Sequence, residues 1–177
     1  IHLEDSGYIR VEDGNMVIIA DVADIGPDYI PGHGHADVLS FELSLFGKRV
    51  IVNSGISTYE TGVDRYKQRS TELHSTITID NENSSDVWGG FRVANRAKIF
   101  DIQKYDDKNN VGFSACHDGY KKLKEGVLHC RKWSISNNLI KIVDNISGKG
   151  EHKIRSVLPL HPSVLVNEVH DVSVSLD

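Results

Sequence analysis

Apolar and polar residues alternate at period two along most of the chain, in short runs that stop at Gly, Asn or Asp. In an extended backbone successive side chains point to opposite faces, so this is the pattern of antiparallel strands with one buried face. The runs are Met16 to Val22, Val38 to Phe46, Arg49 to Val52, Ser75 to Ile79 and Ala97 to Ile102. Val111 to Ser114, Val127 to Ile135, Leu139 to Val143, Lys153 to Leu158 and Val172 to Leu176 follow. The residues between them suit tight reversals: Asp13-Gly14-Asn15, Phe46-Gly47-Lys48, Lys108-Asn109-Asn110, Ser136-Asn137-Asn138 and Gly148-Lys149-Gly150. Strands at this spacing predict an all-β fold, an antiparallel β-sandwich of stacked sheets with Greek-key-like or meander connections. Helical patterning is confined to Gly62 to Thr71, GVDRYKQRST, which holds at most a helical turn and reads as a long polar loop. Long loops on a rigid sheet scaffold are common sites, so Ser54 to Leu73 is a candidate cleft rim. No repeat, low-complexity tract or linker interrupts the chain, which predicts one domain over residues 1–177.

Composition narrows the function classes only a little. The 177 residues are 39% apolar and 25% charged with a formal net charge of -5, which fits a globular protein rather than a disordered one. Phosphate binding needs clustered Lys and Arg, so a general nucleic-acid surface is not expected. One local basic stretch, YKKLK from Tyr120 to Lys124 with Arg131 and Lys132 after it, suits either a solvated hairpin tip or a contact with an acidic polymer. The two cysteines, Cys116 and Cys130, form no CxxC pair. They fit either a cross-hairpin disulfide in an oxidising compartment or two buried thiols. No apolar run approaches the roughly 20 residues that span a bilayer, and the N-terminus carries no secretory pattern. A start at Ile1 rather than Met is expected of a processed or excised piece.

The chemistry concentrates in PGHGHADVLSFEL, residues 31 to 43. In an extended segment His33, His35 and Asp37 project to one face, and neutral imidazoles at i and i+2 are a common way to hold a divalent metal. A hydrogen-bonded polar turn fits the bare tripeptide equally well. His74, just before the strand in ELHSTITID, and Asn53, at the end of VIVN, extend the candidate set to two imidazoles and an oxygen.

These stretches together resemble a known family. GPDYIPGHGHADVLSFELSLFGKRVIVNSGISTYE, RSTELHSTITIDNENSSDVWGGFRVANRAKI and CHDGYKKL are similar to the C-terminal region of heparinase II/III-like proteins, a group of bacterial polysaccharide lyases and relatives. The resemblance runs from about Gly7 to about Pro162, and its markers are the GHGHAD block, the VNSG turn and the LHSTITID strand. It implies a two-part enzyme in which an N-terminal α/α toroid, absent from this chain, is closed by a C-terminal antiparallel β-sandwich. It implies that His33 lies in the catalytic cleft and that His35, Asn53 and His74 hold zinc. The chain departs from the family at Asn53, where Asp is usual, and the lost carboxylate weakens the expected metal affinity.

The implied reaction is β-elimination on an acidic, uronate-containing polysaccharide such as a glycosaminoglycan. A base takes the C5 proton, polar groups neutralise the carboxylate and an acid assists the leaving oxygen. The principal Tyr would come from the toroid, so the isolated chain is expected to be inactive. Tyr59 and Tyr66 could face the cleft, with Arg65 and Arg69 offered to a uronate carboxylate, against exposed loop roles for all four. His117, in CHDGY, is a candidate sugar contact on the cleft wall, against a turn held by Asp118 and Gly119. Trp88 suits a sugar-stacking residue or a partly buried sheet aromatic. Two rivals stand beside the lyase. One is a non-catalytic carbohydrate-binding or surface-polysaccharide assembly module on the same scaffold; the other is a metal-dependent sandwich enzyme in which His33 is also a ligand. A periplasmic or secreted bacterial location is expected.

Overall fold

A computed structural model describes residues 1–107, 110–124, 126–136, 139–170 and 173–176. Lys108, Asn109, Asn137, Asn138 and Val172, which fall in two expected turns and the last expected strand, lie outside the described residues. Strands β1 (His2–Leu3), β2 (Tyr8–Asp13), β3 (Met16–Asp21), β4 (Phe41–Leu45) and β5 (Lys48–Ile51) form a five-stranded antiparallel meander. A helix α1 (Val63–Arg69) and short strands β6 (Ile77–Ile79), β7 (Asp86–Trp88) and β8 (Arg92–Ala94) follow. A second, four-stranded meander contains β9 (Ile99–Asp107), β10 (Asn110–His117), β11 (Leu128–Ser136) and β12 (Leu139–Ser147), in the order β12-β11-β10-β9. Strand β13 (Ile154–Ser156) returns to pair with β6, and β14 (Val166–His170) pairs with β15 (Ser173–Leu176).

The two larger sheets are stacked face to face. Ile9, Ile18, Ala20, Phe41 and Leu43 from one sheet share a core with Phe113, Ala115, Trp133 and Ile135 from the other. Alternation is what allows this: along β3 every second residue, Met16, Ile18 and Ala20, is buried. Phe113 sits directly opposite Trp133 in the β10–β11 register, and the two rings stack at 4.6 Å. The expected strand from Val38 begins only at Phe41, because Leu39 takes a left-handed φ of 60° and the Ser40 amide turns back to the Asp37 carbonyl. Strands β1, β2, β7, β8 and β14, short or poorly alternating, exceed what the pattern predicts. Gly62 to Thr71, expected as a loop, holds helix α1, with Arg65 and Arg69 at i and i+4 on its buried face.

The inner face of the second sheet turns polar at one end. Continuing from Phe113 and Trp133, the inward positions are Ala115, His117, Arg131 and His129, all buried. Arg131 holds Asp144 on the neighbouring strand in a forked pair, Nε to Oδ1 at 2.6 Å and Nη2 to Oδ2 at 3.0 Å. The Gly119 amide donates to His117 Nδ1, His117 Nε2 reaches His129 Nδ1 at 2.9 Å, and His129 Nε2 reaches Asp144 at 2.6 Å. This chain is consistent only with both imidazoles neutral, each carrying its proton on Nε2. His117 therefore belongs to a buried network and not to a sugar-contacting cleft wall, one of the two roles offered for it, because its strand position faces inward. Cys116 and Cys130, the neighbouring register pair, are joined as a disulfide.

Burial holds His117 and His129 below the ordinary imidazole range, against the opposing pull of Asp144. Their contribution to stability is thus fully present above about pH 6.5. It is lost as pH falls toward the folded values, since only the unfolded chain takes up the protons. Each histidine should contribute a slope of about 1.4 kcal/mol per pH unit in that window. For Asp144 burial raises the carboxyl, but the bonds from His129 and Arg131 outweigh it and bring it to about 2, so its share is lost only in stronger acid. Urea unfolding at pH 7.5, 6.5 and 5.5 should show falling stability, and His117→Asn should flatten the slope by about one proton. An unchanged slope in that variant would refute the assignment.

Candidate active site and metal cluster

Pro31 starts a 3-10 turn over Pro31–His33, so the block does not run extended throughout. His33 ends that turn and is exposed, while His35 and Asp37, two residues apart beyond it, point together into the fold. Gly34 makes the bend possible: a Cβ there would lie 2.7 Å from Ile25 Cγ1 and 3.1 Å from the Pro31 carbonyl. The alternation that predicted one common face therefore holds for His35 and Asp37 only.

Opposite them, the segment from Arg69 to Thr76 brings in His74. Ligand atoms of His35, Asp37 and His74 lie within 4.8 Å of one another. His74 is fully buried, and its ring makes only a weak approach to the Gln68 carbonyl, short of hydrogen-bond geometry. A buried imidazole with both ring nitrogens unpartnered is a donor suited to a metal ion. Burial pushes both His74 and His35 down to about 4, so both are neutral with a free lone pair at pH 7. Burial raises Asp37, with His35 and the Asn53 side chain acting against it. Two neutral imidazoles and a carboxylate fit a divalent transition metal, with a coordination position left over. The oxygen of this cluster is that of Asp37, which sequence had placed on the same face without a ligand role. Asn53 stands behind it, its amide toward Asp37 and its Oδ1 accepting from the Gly55 amide at 2.9 Å.

The two segments are stitched together by their own polar groups. The Ala36 amide donates to the Arg69 carbonyl at 2.9 Å, and Arg69 Nε to the Gly34 carbonyl at 3.1 Å. Thr71 Oγ1 donates to the Ala36 carbonyl at 2.6 Å and Thr76 Oγ1 to the Val38 carbonyl at 3.1 Å. Ser75 Oγ meets both the amide and the carbonyl of Phe41. The three candidate ligands are thereby preorganised by the protein.

A cavity of about 760 Å³ opens beside the cluster, lined by His33, His35, Asp37 and Asn53 on one side. Glu4, Asp5, Asp21 and Asp24 also line it, and among the described residues no Lys or Arg does. Tyr8 lies there too; the Asp21 charge, followed by burial, raises its phenol to about 12.

The remaining candidates fall into different places. Tyr59 is exposed and touches His33 edge-on, with ring centroids 5.7 Å apart. Phe91, which no sequence signal marked, makes a similar contact with His33 at 5.5 Å and lies nearly parallel to Tyr59 at 6.0 Å. Tyr66 lines a separate small pocket with Glu72 and Arg155. Arg65 and Arg69, offered either to a uronate carboxylate or as exposed loop residues, are fully buried because the helix turns them inward. Trp88 is 43% exposed on β7.

The family described as heparinase II/III-like, C-terminal, matches residues 1–177. No curated protein sequence matches. Among solved structures, a heparan sulfate lyase HepC mutant from Pedobacter heparinus is similar with a TM-score of 0.71 at 20% identity, over 91% of this chain and 24% of its own. A structure of heparinase III is similar with a TM-score of 0.67 at 22% identity, over 88% and 23%. The chain thus spans about a quarter of the length of these solved proteins.

Thr71→Val should destabilise the protein by about 1–3 kcal/mol, because the buried Ala36 carbonyl and Ser84 amide both lose their partner. Urea unfolding checks this, and a change below about 0.5 kcal/mol would show that the stitch is not needed.

Proposed function

The chain belongs to the heparinase II/III-like family as its C-terminal domain, and from that premise we propose that it is the β-sandwich of a polysaccharide lyase acting on acidic, uronate-containing polysaccharide by β-elimination. The observation that carries this reading is His33, exposed on the wall of the cavity beside, but not within, the His35–Asp37–His74 cluster. Such a group can hold or deliver a proton at a sugar bound in the cleft, while the cluster behind it fixes the wall. The partner Tyr and the groups that neutralise the uronate would come from an α/α toroid preceding this chain.

His35, Asp37 and His74 would hold zinc. Asp37 supplies the negative charge that the amide of Asn53 lacks, which keeps the donor set suited to that ion. When bound, zinc would supply a fixed positive charge that locks the two segments; His33, outside the cluster, stays free for substrate. The Cys116–Cys130 disulfide supports a periplasmic or secreted location in a bacterium. In the described residues no helix is long and apolar enough to cross a membrane.

A second reading is favoured by the carboxylates along the cavity, which oppose an acidic polymer: a carbohydrate-binding or surface-polysaccharide assembly module without elimination chemistry. In the full-length protein, His33→Ala should lower release of unsaturated uronate product, read at its ultraviolet band, by about 10²–10⁴-fold. Metal content should not change. Unchanged turnover would remove the lyase role of His33, and loss of metal would make His33 a ligand. His74→Ala should instead abolish bound zinc, measured by elemental analysis; a variant that keeps its zinc would show that the ion sits elsewhere.

A further inference from the structure

Arg65 and Arg69 sit one helical turn apart on α1, and both donate to the Gly90 carbonyl, Arg65 Nε and Arg69 Nη1 each at 3.1 Å. Beyond that shared acceptor they differ. Every nitrogen of Arg69 meets a carbonyl, its Nε on Gly34 and its Nη2 on Arg92 as well. Arg65 keeps Nη1 and Nη2 buried without any hydrogen-bond partner, and the arginine–carboxylate pairs among the described residues all belong to other arginines. A guanidinium in this state is costly, since a buried charge normally has a counter-charge and filled donors. What covers it is a pair of rings: its Cζ lies 5.3 Å from the Tyr59 centroid and 5.5 Å from the Phe91 centroid. Those rings are 56% and 47% exposed, and both touch His33.

We propose that Arg65 is an anion seat beneath a two-ring lid: when Tyr59 and Phe91 part, its free edge receives a carboxylate or sulfate of the polysaccharide beside His33. This deepens the lyase reading and rests on it for the identity of the ligand. The wall that this chain gives the cleft favours such a seat. Among the described residues its lining holds carboxylates and no Lys or Arg, and the nearby Lys98 and Lys104 are already paired with Asp24 and Glu4, so this chain offers an acidic sugar little other free positive charge there. Arg65, one ring away from His33, is the unspent positive charge, and Arg69 behind it adds to the same potential. Closed, the lid offers the guanidinium two cation–π faces in place of an anion. Opened, it exchanges them for two parallel charge-assisted hydrogen bonds. The hairpin tip carrying Phe91 packs closely at Gly90, where a Cβ would lie 3.1 Å from Thr61 Oγ1, so the lid is fitted to the loop bearing Tyr59.

The test uses the full-length protein and a heparan sulfate oligosaccharide in three forms: desulfated, carboxyl-reduced, and both. Phe91→Ala removes one face that competes with the anion, so binding should tighten about two- to fivefold. Tightening with the desulfated form assigns a carboxylate and with the carboxyl-reduced form a sulfate; the doubly treated form should not respond. Unchanged or weaker binding of every form overturns the seat: the rings are then a fixed wall or a stacking platform, or Arg65 already has a partner from elsewhere in the protein. A second measurement needs no lyase activity. Arginine-specific dicarbonyl labelling of Arg65, located by mass spectrometry, should accelerate in Phe91→Ala and be slowed by the anionic oligosaccharide. Labelling that the oligosaccharide leaves unaltered also overturns the proposal. Failure of these outcomes with wild-type uronate release intact rejects the seat alone, whereas absence of uronate product with labelling protection intact rejects only the lyase reading.

Discussion

The guanidinium of Arg131 is the interaction on which the site depends. It lies fully buried on β11, forked onto Asp144 of β12, and its remaining nitrogen donates to the carbonyls of Leu39 and Ser75 at 2.9 and 2.6 Å. Leu39 closes the segment that carries His35 and Asp37, and Ser75 directly follows His74. One side chain of the second sheet thus grips both segments that form the cluster. A buried ion pair adds little net stability when compared with an apolar pair, but losing one partner strands the other charge at several kcal/mol. Here two loop carbonyls would be stranded as well. The value of the arrangement is positional: it fixes where the loops sit against the sandwich.

The same residue shows why sequence read the sheets well and the polar interior poorly. Period-two alternation located β3, β4, β10, β11 and β12, since Met16, Ile18, Phe113 and Trp133 mark an apolar face plainly. On β11 the same alternation continues through Arg131 and His129, and a hydropathy reading turns those residues outward. Only their partners, Asp144 and His117 on neighbouring strands, make burial tolerable, and strand pairing is not visible along one chain. Helix α1 was obscured for a related reason. Its buried face is made of Arg65 and Arg69, so no apolar stripe announces it, although their i, i+4 spacing was there to be read.

Of the cluster, His35 and His74 were legible because imidazoles in GHGH and ELHS are rare enough to notice. Asp37 was legible as a neighbour and not as a donor, because its role depends on the turn that separates His33 from His35. Phe91 was invisible: a single aromatic in a Gly-rich hairpin has no signal until Tyr59 and His33 are seen against it. The resemblance carried roles onto His33, His35, Asn53 and His74 by position, but it could not say that Asn53 stands behind the carboxylate.

The stitching between residues 34–41 and 69–76 bears on how the cluster works. The Ala36 amide, Thr71, Ser75 and Thr76 bonds hold the segments together without any ion, and Arg131 holds both to the second sheet. A metal binding here would not have to fold its own ligands, as it does in small metal-dependent domains. It would meet two imidazoles already neutral and a carboxylate already turned toward them, so its free energy goes into rigidity of the wall on which His33 stands. His33 leaves that wall through the 3-10 turn begun by Pro31, which separates its exposed imidazole from the inward-facing His35 two residues away. If His33 transfers a proton in the cleft, as proposed, it needs a near-attack geometry, and the hydrogen bonds stitching the segment behind it limit how far its backbone can shift.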